Sequence, residues 1–230
     1  MGNSQIGARL AFENSKKLAQ NAGLSLGKAV LSQSFLRFEV ALVAGQTSYT
    51  FDVLTNDNTQ AVNFNTQQKL NLQDSFVCSE LGFFLAAPTT NTDTEFSLLT
   101  YPNTTQLTAA NAPKYKAIYQ GQMSLNVNQK TIITNWDLSR HYIVPTTQQN
   151  MVTGGYPAAA ISPAVLPQYD SINLNNDGFV PVEPNFVLVG SKKNDLKVTL
   201  PVGLSTGIAT TTRLVCIMRG IMLQNSTSVN

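Results

Sequence analysis

From Phe38 to the C-terminus, short runs of β-branched and aromatic residues alternate with polar ones at a period of two. Side chains spaced that way line one face of a strand and cannot gather on one stripe of a helix, so the body of the chain is expected to be all-β. The runs at residues 38–43 and 48–54 flank Ala44-Gly45-Gln46 and predict a hairpin. Further strands are predicted at 76–85, 95–100, 114–119, 123–127, 131–134 and 142–144. Residues 145–184 hold six prolines and the Gly154-Gly155 pair, and read as a loop-dominated excursion. Strands at 186–189 and 196–200 straddle Gly190-Ser191-Lys192-Lys193-Asn194-Asp195, a second hairpin signal. A last long strand at 212–223 is expected to break at Gly220.

Ahead of this body, residues 4–22 predict a helix with Ser4 as its cap, a thin stripe of Ile6, Leu10 and Leu18, and Gly23 as a left-handed stop. Residues 24–36 are a looser extension interrupted by Gly27. So thin a stripe suits an arm resting on another surface better than a core helix. Over residues 1–40, Arg9, Lys16, Lys17, Lys28 and Arg37 stand against Glu13 and Glu39, a balance of +3, although the whole chain carries only +2. A mildly basic arm therefore precedes a nearly neutral body, and a net charge this small is no footprint for sequence-specific nucleic-acid binding.

At least ten short strands with long Asn- and Thr-rich loops point to an antiparallel sandwich or barrel, and the irregular loops favour a jelly roll over an immunoglobulin sandwich. The chain of 230 residues is long enough for one large roll or two minimal ones. Trp136, the sole tryptophan, is expected in the core. So are Phe83, Phe84, Tyr115 and Tyr119, in preference to a stacking platform for single-stranded nucleic acid, because so few basic residues surround them.

Composition narrows the function. Charged residues make up 12% of the chain, about half the 25% or so usual in soluble domains. Thr, Asn and Gln together number 62, so the polar surface is amide and hydroxyl. Such groups can pair across subunit contacts without the desolvation cost of ions. No apolar run approaches the roughly 18 residues of a spanning helix, and neither a secretory signal nor a myristoylation site is expected at the N-terminus. Cys78 and Cys216 sit within apolar runs, where buried free thiols and a reducing site of folding are expected.

Catalytic equipment is sparse. His141 is the one histidine, its neighbour Arg140 lowers its basicity, and no Gly-x-Ser-x-Gly elbow exists to complete a triad, so it is read as a loop or strand-end histidine. There are too few Cys and His for zinc, and no glycine-rich phosphate loop is present. Asn173, Asn175 and Asp177 alternate as in a calcium loop with Gly178 at the sixth position, but Pro184 takes the twelfth place and Glu183 falls one early. A polar turn is the plainer reading of that stretch, with calcium bound by Asn173, Asn175, Asp177 and Glu183 as the minor alternative. The sequons at Asn103 and Asn225 are expected by chance in a chain so rich in Asn and Thr. No enzyme activity and no cofactor are expected; assembly is.

Two segments carry a resemblance. Asn135-Trp136-Asp137-Leu138-Ser139-Arg140-His141-Tyr142-Ile143-Val144-Pro145 and the closing Arg213-Leu214-Val215-Cys216-Ile217-Met218-Arg219-Gly220-Ile221-Met222-Leu223-Gln224-Asn225 are similar to parts of the major capsid proteins of small, tailless, icosahedral bacteriophages, as is the short helix before the first strand. The resemblance implies a jelly-roll viral coat protein built into trimeric capsomers, located in the virion after assembly in the host cytoplasm. It favours two rolls per chain, dividing this one into an arm at 1–35 and rolls at 36–140 and 141–230, with a single roll at 36–230 as the alternative. Partners would be further copies of the chain, penton or spike proteins, and an internal lipid membrane touched by Arg9, Lys16, Lys17 and Lys28 on the arm. The rival reading is a receptor- or carbohydrate-binding sandwich of a viral spike or fibre, with Tyr156, Tyr169, Asn173, Asn175 and Asp177 as its binding face.

Overall fold

A computed structural model describes residues 2–62, 64–103, 107, 111–144 and 178–227, with side chains from residue 12 onward. The predicted strand character holds: nine strands among the described residues form two antiparallel sheets. They are β1 Val30–Ala41, β2 Ser48–Phe51, β3 Ser75–Ala86, β4 Leu98–Leu99, β5 Gln122–Val127, β6 Lys130–Asp137, β7 Phe179–Val189, β8 Asn194–Thr199 and β9 Arg213–Gln224. One sheet runs β1-β9-β3, with β7 and the two-residue β4 sharing the far side of β3; the other runs β2-β8-β5-β6.

A single cluster fills the space between the sheets. Leu36, Phe38 and Val40 of β1, Phe76, Leu81 and Phe83 of β3, and Leu214, Cys216 and Met218 of β9 meet Tyr49 and Phe51 of β2, Met123 and Leu125 of β5, and Leu196 and Val198 of β8. Each sheet draws strands from both sides of residue 140: β1 pairs with β9, and β2 with β8. The boundary expected there does not coincide with any break in pairing or core.

Both predicted hairpins are overturned. Strands β1 and β2 lie in different sheets, as do β7 and β8, so the turns at 44–47 and 190–193 carry the chain from one sheet to the other. The turn chemistry was read correctly; the partner was not, since a tight turn can join strands across a sandwich as well as within a sheet. A tight hairpin joins β5 to β6 through Asn128 and Gln129, both at positive φ (51° and 66°), as a two-residue type I′ turn requires.

Residues 114–119 are not a strand. They fall in α2, Ala112–Tyr115, and the 3₁₀ turn Lys116–Gln120 that continues it. Pro113 sits where a helix needs no N–H, and Tyr115, Ile118 and Tyr119, spaced at three and four, point into the core. The strand expected at 95–100 shrinks to Leu98–Leu99, none forms at 142–144, and β7 begins at Phe179 within the stretch read as loop. Trp136 is half-buried at the edge of the core rather than within it.

Strand β9 does not break at Gly220. There β3 carries a bulge between Cys78 and Glu80, and the two backbones approach so closely that a Cβ at Gly220 would lie 1.9 Å from the Val77 carbonyl oxygen. The N-terminal helix α1 spans Gly2–Asn21, so Ser4 lies inside it rather than capping it, while Gly23 takes the expected left-handed stop at φ 79°. Strand β1 starts at Val30, inside the stretch expected as a loose extension.

Candidate functional site

The two sheets are buried unequally. In the β2-β8-β5-β6 sheet, β5 and β8 alternate strictly: Met123, Leu125, Val127, Leu196 and Val198 face the core, while Gln122, Ser124, Asn126, Lys197 and Thr199 face outward. That outer face is amide, hydroxyl and a few charges, as composition led us to expect. In the other sheet, β3 and β9 are covered on both faces and read as nearly continuous apolar runs.

Two layers cover the outer face of that second sheet. At one end α1 lies across it, with Ala19 fully buried against Val77 and Leu223, and Leu18, Leu24, Leu26 and Leu31 around them. Ser15 is also buried, so small residues line the contact and let the helix come close. The arm, expected to rest on a surface outside the body, instead packs its C-terminal turns on the chain's own sheet. At the other end Phe84, Ala86, Phe179, Val215 and Ile217 pack with Phe96 and Leu98.

Beside this second cluster lies a buried ion pair. Glu39 accepts from Arg213 Nη1 at 2.9 Å, from Arg37 Nε at 2.7 Å and from the Thr66 hydroxyl. Arg213 Nη2 donates to the carbonyls of Thr90 and Asn91 at 3.3 and 2.7 Å, and its guanidinium lies 4.1 Å from the Phe64 ring centre and 5.0 Å from that of Phe96. One side chain thus ties two long loops to the sheet, with Nη1 on the Glu39 carboxylate and Nη2 on the two loop carbonyls. Sequence reasoning passed over this pair. Its signal was a carboxylate between Phe38 and Val40 and a cation opening Leu214-Val215-Cys216-Ile217, opposite charges at positions otherwise apolar.

His141 is fully buried, not a loop or strand-end residue, and closes a 3₁₀ turn at Leu138–His141 whose start is capped by Asp137 accepting from Ser139 N at 2.9 Å. Its Nε2 accepts from the Trp136 indole N–H at 2.8 Å, which leaves Nδ1–H to donate to the Gly178 carbonyl at 3.1 Å. Phe83 meets the ring edge-on at 5.3 Å. Burial pushes the His141 pKa down to about 4, with Arg140 a smaller contribution in the same direction. Both ring nitrogens are therefore engaged on a neutral imidazole that joins β6, the turn and the start of β7. Burial likewise holds the Cys78 and Cys216 thiols protonated.

Of the predicted site residues, Glu183 is exposed on β7, while Asn173, Asn175 and Asp177 lie outside the described residues, as do Tyr156 and Tyr169. No cluster of three or more His, Cys, Asp or Glu is found among the described residues. On the arm, Lys16 pairs with Glu13 at 3.4 Å and lies over the Phe12 ring; Lys17 and Lys28 are exposed, and Arg9 lies in α1. Phe83, Tyr115 and Tyr119 are buried in the main core and Phe84 in the second cluster, as expected.

Exposed apolar side chains mark the surface at several points. Val43 and Val202 stand on loops joined by the Gly45 N–H to Leu204 carbonyl bond at 2.8 Å, and Val30 and Phe35 stand on β1. Comparisons with protein families, curated proteins and solved structures find no match to this chain.

Proposed function

We propose that this chain is a viral coat protein, folded as a single jelly roll, that self-assembles through trimeric capsomers into the icosahedral shell of a bacteriophage. The observation that carries the reading is the strand order. Leaving out the short β4, the sheets run β1-β9-β3-β7 and β2-β8-β5-β6. First and last long strands are neighbours, second and second-last are neighbours, and the chain crosses between the sheets at every step except the β5–β6 hairpin, which is how a jelly roll of eight strands is wound. On this reading residues 36–230 form one roll, not two.

The surface supports the same reading. An outward sheet face of amides and hydroxyls, with isolated apolar residues at the loop end, suits repeated contacts between copies of one chain. Lys17 and Lys28, with Lys16 and Arg9 on the same arm, would meet the anionic content of a particle, either genome backbone or an internal membrane. Penton or spike proteins would complete the shell. No cofactor and no catalytic step enter this function.

The test is the native mass of the full-length protein by light scattering, with negative-stain images of the same sample. Trimers that grow into closed particles are the expected result. A protein that stays monomeric, or a discrete trimer that never associates further and binds on a glycan array, would overturn the coat reading, the latter in favour of a carbohydrate-binding spike.

A further inference from the structure

We propose that residues 30–36 of β1 are a homotypic pairing edge, joining two copies of the chain in antiparallel register about a two-fold axis at Gln33. One side of β1 is paired with β9 along its whole length. On the other side, Arg37 exchanges both backbone bonds with Gln68, N to O at 3.0 Å and O to N at 2.8 Å. Backbone groups alternate in direction along a strand, so those of Leu31, Gln33 and Phe35 point to the same open side as those of Arg37. Among the described residues no backbone bond reaches them from that side.

Among the described residues the usual protections of an edge are missing here. Residues 29–36 contain no charge and no proline, β1 pairs with β9 without a bulge, and Val30 and Phe35 are 57% and 50% exposed. An open, regular, apolar edge of this kind is a template for another strand.

The sequence selects a second copy as the occupant. Val30-Leu31-Ser32-Gln33-Ser34-Phe35-Leu36 is symmetric in character about Gln33. In an antiparallel pair centred there, Val30 opposes Leu36, Leu31 opposes Phe35, and Ser32 opposes Ser34 on each side, with Gln33 opposite itself. Apolar meets apolar, hydroxyl meets hydroxyl and, at the centre, amide meets amide, as an interface that uses the same patch twice requires. Parity agrees as well: Leu31, Gln33 and Phe35 of one copy face Phe35, Gln33 and Leu31 of the other as hydrogen-bonded pairs. The open window is also bounded symmetrically. Gln68 closes it at Arg37, whose register partner would be Ala29, where the strand ends, and Arg37 Nε is held by the Glu39 carboxylate at 2.7 Å.

This inference is independent of the coat reading, and cysteine cross-linking in the full chain separates the two. Cys78 and Cys216 are buried and do not compete. The Gln33→Cys variant, oxidised under native conditions, should give a reducible covalent dimer. Ser32→Cys and Ser34→Cys should cross-link efficiently only when mixed. Thr131→Cys, on exposed β6, is the control and should stay monomeric on a denaturing gel. Gln33→Pro places its missing N–H on the open side, where an edge strand tolerates it, and removes two interchain bonds per dimer, so the dissociation constant in sedimentation velocity should rise about tenfold or more. Circular dichroism checks that this variant is folded. No cross-link at residue 33, one no stronger than at residue 131, or a dimer unmoved by Gln33→Pro in a folded protein would overturn the pairing. Particles that form without the residue 33 cross-link would overturn it while leaving the coat reading intact, and a cross-linked dimer that never assembles further would do the reverse.

Discussion

Trp136, His141 and Gly178 come from three segments, and the imidazole that joins them does so only while neutral. Because its pKa is pushed down to about 4 from an ordinary 6.5, the unfolded chain takes up a proton at a higher pH than the folded one. The stabilisation is therefore complete above pH 6.5 and is lost as pH falls towards 4, amounting to roughly 3 kcal/mol across that window. Urea midpoints measured from pH 7 to pH 4 should show this loss, and His141→Gln, less stable at pH 7, should lack that part of the slope. In proton NMR the single histidine should not titrate above pH 5.5 or so. The Glu39–Arg213 pair makes a second prediction at this scale. Arg213→Ala leaves Glu39 buried with only Arg37 beside it and frees two loops, so it should cost about 3–5 kcal/mol in denaturant unfolding, as removal of one partner of a buried pair does. Neither role was legible in the sequence, because both depend on what the strand order brings opposite. His141 was read from its chain neighbours, whereas burial by residues far along the chain sets its basicity.

Among the elements, strands were legible where a period of two or a long apolar run marked them, and misread where a short run also satisfied a helix. Residues 114–119 show the ambiguity. Tyr115, Ile118 and Tyr119 are spaced for a helix, and Pro113 starts one, but aromatic and branched residues also suit a strand. Gly220 was noticed for the right reason and given the wrong consequence. Glycine in a strand marks either a break or a close approach, and here it is the close approach that counts. Gly220→Ala should accordingly cost about 1–3 kcal/mol, as overpacking does. Thermal unfolding of this variant beside Gly27→Ala, at a glycine ahead of β1 with open space where the methyl would go, would separate crowding from a general glycine effect.

For the molecule as a whole, the all-β sandwich was legible and its wiring was not. Turn residues at 44–47 and 190–193 announce a reversal of direction, but only the packing of two sheets decides whether that reversal stays in one sheet. The unequal covering of the sheets was visible in outline. The strands of β3 and β9 are nearly unbroken apolar runs, whereas β5 and β8 alternate, and that contrast distinguishes a sheet buried on both faces from one that meets solvent.

The pairing of β1 with β9 places the beginning of the body against its end along twelve residue pairs. A ribosome making this chain releases β1 first and β9 last, and until β9 emerges the first strand has no partner in its own sheet. Folding of the sandwich therefore waits until β9 has emerged, and the many distant contacts make it slow. Through that interval the nascent protein holds residues 30–36 open on both sides, so a cell that makes many copies at once must keep them apart until β9 has paired.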